Sequence, residues 1–155
     1  MKRFLLILGV FALVGLSSCR SDRTGKPLIT RDFPTGNWER FDFVERTIVL
    51  DKPATYDLDL EAWFDDNYTF NYFSVVFTVF DTAGNPLRSR DYKFTLKDRD
   101  GSWKSEALEG RYRFRFPINN ELTLNEPGTY IFRLENHMPI TPLTGIREVS
   151  IINNK

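Results

Sequence analysis

Thr55-Tyr56-Asp57-Leu58-Asp59-Leu60-Glu61-Ala62-Trp63-Phe64 is the stretch that decides the fold. Apolar and polar residues alternate without a break over ten positions, which is the period of an extended strand and not of a helix. Tyr56, Leu58, Leu60, Ala62 and Phe64 share one face; Thr55, Asp57, Asp59, Glu61 and Trp63 share the other. Such a strand puts its first face on a core and its second in water. A solvated second face implies that Asp59→Ala costs no more than about 0.5 kcal/mol.

The same period recurs on both sides. Upstream, Thr47–Leu50 reads as a short strand closed by Asp51, Lys52 and Pro53. Downstream, Asp65, Asp66 and Asn67 turn the chain into Tyr72–Phe80, where Phe73, Val75, Phe77 and Val79 alternate with Tyr72, Ser74, Val76, Thr78 and Phe80. Both faces are apolar enough for a central strand, with Phe77 in its middle. After the Asp81–Pro86 turn, Tyr92, Phe94 and Leu96 point inward; Arg88 and Arg90 continue that phase, so this strand begins at an exposed edge. Lys97–Gly110 is the longest irregular stretch, the kind of loop that often carries function. Arg111–Phe116 alternates strictly until Pro117, and Leu122 with Leu124 marks a further short strand. Tyr130, Phe132 and Leu134 form another inward row. It opens with Gly128, Thr129 and Tyr130, a pattern similar to a tyrosine corner. Ile146–Ile152 closes the series. Fourteen Phe, six Tyr and three Trp reinforce the strand reading, because aromatic rings suit a pleated, half-buried surface. The sequence therefore predicts an all-β domain over residues 37–155, an antiparallel immunoglobulin-like sandwich of seven or eight strands, with a barrel as the alternative.

The N-terminus follows a different logic. Lys2 and Arg3 precede an apolar run from Phe4 to Leu16, too short to span a bilayer, which ends in Leu16, Ser17, Ser18 and Cys19. This is the pattern of a lipoprotein signal peptide over 1–18. In that pathway the Cys19 thiol receives a diacylglyceryl group, the chain is cut before it, and the new amine is acylated, so that residue 19 becomes the membrane anchor. Residues 19–36 read as a lipidated N-terminus and polar tether, with an r.m.s. span of roughly 20–25 Å if flexible throughout. Phe33 and Trp38 suggest that its far end docks on the domain. Cleavage removes two bases and no acid, which leaves 19 Lys+Arg against 21 Asp+Glu. No basic field exists to attract nucleic acid.

Catalytic chemistry is sparse. His137 is the single histidine, so neither a His-rich zinc site nor a Ser-His-Asp set built on any other histidine is available. Asp98, Asp100 and Gly101 match only the start of a calcium loop and read as a solvated turn. No catalytic residues, metal site or cofactor are expected. Two charged rows remain, Asp57, Asp59 and Glu61 on one strand and Arg111, Arg113 and Arg115 on another. They pair across the sheet if their strands are neighbours, and form free stripes for a partner if they are not. With Trp63 on the acidic face and Trp103 in the long loop, the candidate partner-binding set is Trp103, Arg111, Arg113, Arg115 and Trp63. Trp103→Ala is then expected to weaken partner capture and leave stability nearly unchanged.

Short motifs run in order over the whole length: Cys19; Trp38; Tyr72–Asp81; Gly84; Asp100, Gly101 and Trp103; Glu126, Pro127, Gly128 and Tyr130; and Leu143, Thr144, Gly145, Ile146, Arg147, Glu148 and Val149. Their order and spacing resemble those of the gliding-motility lipoprotein GldH family. The resemblance implies a non-enzymatic envelope lipoprotein, held at the outer membrane facing the periplasm, that binds other proteins of a motility or envelope assembly. A sandwich that binds glycan or a small ligand through Trp63 and Trp103 is the alternative.

Overall fold

In a computed structural model, residues 25–155 are described; Cys19 and the signal segment lie outside them. None of the described residues is helical. Eleven strands follow in order: β1 Lys26–Asp32, β2 Asn37–Trp38, β3 Val44–Leu50, β4 Ala54–Phe64, β5 Tyr72–Phe80, β6 Pro86–Thr95, β7 Ala107–Leu108, β8 Arg111–Leu124, β9 Gly128–Asn136, β10 Leu143–Thr144 and β11 Ile146–Asn153. One sheet has the order β1-β11-β4-β8-β7, a second β3-β9-β5-β6, and a two-stranded ribbon joins β10 to β2. Every pairing is antiparallel.

Three of the strands have only two residues, and the other eight carry the architecture. Numbered among themselves, those eight lie in the orders 1-8-3-6 and 2-7-4-5. First pairs with last, second with seventh, third with sixth and fourth with fifth. This is one long antiparallel hairpin rolled over on itself, the jelly-roll arrangement. It corrects the immunoglobulin-like expectation, in which the first two strands share a sheet and the third starts the other. Local alternation is the same in both folds; only long-range pairing separates them. The tyrosine-corner bond is nonetheless present, with the Tyr130 hydroxyl donating to the Glu126 carbonyl at 2.8 Å.

The core lies between the two large sheets. Tyr56 meets Phe132 edge-on at 5.4 Å, Phe64 meets Phe73 at 5.3 Å, and Phe94 stacks on Phe116 at 4.1 Å. The five inward residues of β4 are all buried, as their spacing requires.

Other expectations change in detail. Pro117 does not end its strand: β8 runs on to Leu124, and register shifts against Tyr56–Asp59 accommodate the proline, which lacks an N–H for the ladder. Residues 26–32, assigned from sequence to the tether, form β1 and pair with β11 from Asn153 to Glu148. The folded part thus includes Lys26 instead of starting at residue 37, because β11 would otherwise expose an unpaired edge. The outer face of β4 is not freely solvated either. Asp59 is 2% exposed and Glu61 8%.

Candidate functional site

The two charged rows meet, because β4 and β8 are neighbours with Glu61 opposite Arg115 and Trp63 opposite Arg113. Arg115 Nε donates to Asp59 Oδ2 at 2.8 Å and its Nη2 to Asn154 Oδ1 at 2.6 Å. Arg113 Nη2 donates to Glu61 Oε2 at 2.7 Å, and its guanidinium lies 5.6 Å from the Trp63 ring centroid. Trp63 Nε1 donates to Glu61 Oε1 at 3.3 Å. The long arginine side chains lie over the acids and withdraw them from water, which the alternation of a single strand does not reveal. Arg111 stands at the end of this row, exposed, opposite Leu108 of β7.

Trp103 does not join them. Its loop is a tight hairpin in which Asp98 N–H donates to Ser102 O at 2.8 Å and Lys104 N–H to Leu96 O at 2.9 Å. Gly101 turns it with φ +86°, a backbone conformation that costs glycine little. The hairpin folds the half-buried indole onto the inner side of the sheet, stacked on Tyr112 at 4.2 Å and within 6.3 Å of Phe64, Tyr68 and Phe114. Lys97 Nζ lies over the ring at 4.2 Å and donates to Tyr68 O at 2.7 Å; burial lowers the pKa of this amine, partly opposed by Asp66. Burial, with Tyr72 adding to it, raises the pKa of the Tyr68 hydroxyl, which donates to Tyr72 O at 2.7 Å. A stacked tyrosine and an ammonium thus occupy the faces a sugar ring would need. Trp103→Ala should lower unfolding free energy by about 2 kcal/mol, roughly half the cost of a fully buried tryptophan. Denaturant midpoints at unchanged m-value would show it.

A surface that the sequence did not signal lies between the Glu39–Phe43 turn and the 137–142 loop. A groove of about 590 Å³ opens there, lined among others by Arg40, Phe41, Tyr72, Lys93, Glu135 and Met138. His137 Nδ1 sits 3.5 Å from Asp91 beside it, at the surface.

The terminal motif has a structural task. Leu143 and Ile146 are buried, Arg147 is ion-paired with Asp65, and Asp65 N–H donates to Gly145 O at 2.9 Å. Gly145 has φ +79°, and a Cβ there would lie 2.2 Å from Tyr68 N, so the position admits only glycine.

Among the described residues, no group of three or more His, Cys, Asp or Glu is placed to hold a metal ion. Two antiparallel sheets, a cross-strand charged face and hydrogen-bonded end loops make this an all-β domain. The family model for GldH lipoprotein matches residues 29–152, and the chain belongs to that family. This is a family of gliding-motility-related lipoproteins, not known as enzymes, whose lipoprotein character implies anchoring to a membrane of the cell envelope. A search of curated proteins found no match.

Proposed function

We propose that this protein is an outer-membrane lipoprotein, anchored through Cys19 on the periplasmic side, that holds other proteins of a motility or envelope assembly. The family match over residues 29–152 carries the reading, and the lipobox ending at Cys19 supplies the anchor chemistry. The acyl chains hold the protein at the bilayer because each buried CH₂ contributes about 0.8 kcal/mol. Cys19→Ser is expected to abolish fatty-acid incorporation and release a folded domain into the periplasmic fraction. Continued labelling, or retention in membranes after a high-salt wash, would sink the assignment.

Within the candidate set, Arg111 and Trp63 are the contact groups we favour, since Arg113 and Arg115 also hold Glu61 and Asp59. Arg111→Glu is therefore the clean probe of an acidic partner; a triple change at 111, 113 and 115 would also break both ion pairs.

A further inference from the structure

At the end of the domain where β5 turns into β6 and β8 into β9, the two sheets part around a hollow of about 440 Å³. Small-molecule sites occupy about 300–1,000 Å³. Its floor comes from both sheets, with Val79 and Tyr130 from one and Leu122 and Leu124 from the other, each 8% exposed or less. The Tyr130 hydroxyl is already bonded to Glu126 O, so no side chain of this floor offers a free donor or acceptor. A sugar or an extended peptide would give up hydrogen bonds to water there without replacing them, whereas an alkyl chain has none to lose. Further along β6 the sheets are joined, because the Tyr92 hydroxyl donates to Ile118 O and Phe94 stacks on Phe116. That confines the hollow to this end.

The mouth is built differently. Arg88 stands opposite Val79 in the β5–β6 ladder, and residues directly opposite share a face, so its side chain starts on the inner side of the sheet. Arg90, opposite the buried Phe77, follows on the same side with its guanidinium 6.0 Å from the Tyr92 ring centroid. Both arginines are exposed at the open edge, and among the described residues neither is ion-paired. Next to them the ladder slips. Val79 faces Arg88 but Phe80 faces Pro86, which leaves Leu87 as an extra, unpaired residue of β6. Such a bulge re-aims a side chain. Here Leu87, although 53% exposed, lines the hollow beside Arg88. Inward-pointing charge also protects a sheet edge from pairing with another chain. Edge protection accounts for the arginines, but not for the leucine turned in beside them or for the apolar hollow behind. Glu126 is the acid in the lining, and two arginines against it leave the mouth positive.

We propose that this hollow binds a fatty-acid-type carboxylate, with its alkyl chain on Val79, Leu122, Leu124 and the Tyr130 ring and its head on Arg88. Charge complementarity selects the head, since the guanidinium fork matches a carboxylate with two parallel hydrogen bonds. The inference goes beyond the reading as an anchored assembly protein and does not depend on Cys19.

The test mixes the full-length protein, purified from envelopes, with phosphatidylcholine vesicles carrying one of three probes with a mid-chain diazirine: hexadecanoic acid, the corresponding alcohol, or phosphatidylglycerol. Irradiation and peptide mapping locate the adducts. The acid is expected to label the peptides that hold Leu122–Leu124 or Tyr130 saturably, with displacement by excess unlabelled hexadecanoate, and the alcohol and the phospholipid are expected to label them several-fold less. Arg88→Glu should raise the half-saturating concentration of the acid about tenfold or more, the loss of one charge-assisted contact, and Arg88→Lys should recover most of it. Leu87→Glu should weaken labelling in the same direction with Arg88 intact. Thermal midpoints should stay unchanged in all three variants, since both positions are exposed. Absence of saturable labelling overturns the proposal and leaves the arginines as edge protection. Equal labelling by the alcohol, preference for the phospholipid, or parent-like binding by both Arg88→Glu and Leu87→Glu overturns it as well.

Discussion

Arg115→Met should lower the unfolding free energy by about 3–5 kcal/mol, because it leaves the Asp59 carboxylate buried with its counter-charge removed. Asp59 has a side chain only 3% exposed, against 22% for Arg115, so the acid has less access to water than the base that pairs with it. The asymmetry predicts an order: Arg115→Met is worse than Asp59→Ala, which leaves a guanidinium still near solvent and bonded to Asn154. Either variant should exceed the 0.5 kcal/mol typical of a surface change. The double variant Asp59→Leu/Arg115→Met should recover most of the loss, since an apolar pair of similar volume avoids the desolvation of two charges. Guanidinium denaturation of the parent, Asp59→Leu, Arg115→Met and the double variant closes the cycle. Additive losses in the double variant would show that the pair is not coupled and that the cost lies in packing alone.

Phe77→Ala is expected to cost about 3–5 kcal/mol, the range for truncating a buried phenylalanine when the site relaxes only partially. Phe77 is 2% exposed in an inner strand of its sheet, between β9 and β6, and meets Phe132 edge-on at 5.7 Å. Its loss removes the ring and one half of an aromatic pair at once. Phe77→Leu should recover more than half of that loss by refilling volume. A thermal midpoint unchanged in Phe77→Ala would mean that the strand does not sit against the opposing sheet.

Both predictions turn on the same strand alternation, but only one was legible from it. The inward rows of β4, β5 and β9 follow from spacing alone, because a side chain's face in a strand is set by the backbone two-residue repeat. The outward rows do not. Whether Asp59 is wet or buried depends on what stands beside it, and Arg115 lies 56 positions further along the chain. Trp103 illustrates the converse. Its long loop invited a functional reading, yet the hairpin closed by Lys97 and Trp103 folds the ring onto Phe64 and Tyr112. Glu39–Phe43 carries no periodicity and no motif, and its hydrogen bonds come from Arg31, Met138 and Thr141, so nothing in that short stretch announced an ordered turn.

The sequence by itself determined the all-β class, the turns, the inward faces, the tyrosine-corner bond and the lipobox ending at Cys19, because each is a property of neighbouring residues. The pairing of first strand with last, the jelly-roll order, the entry of residues 26–32 into the sheet, the burial of Asp59 under Arg115 and the ordered turn at Glu39–Phe43 were decided only by the tertiary structure. Antiparallel ladders of alternating residues are locally alike whichever strands they join. Choosing among them takes the closure of the whole core, in which segments more than a hundred residues apart must bury each other's faces.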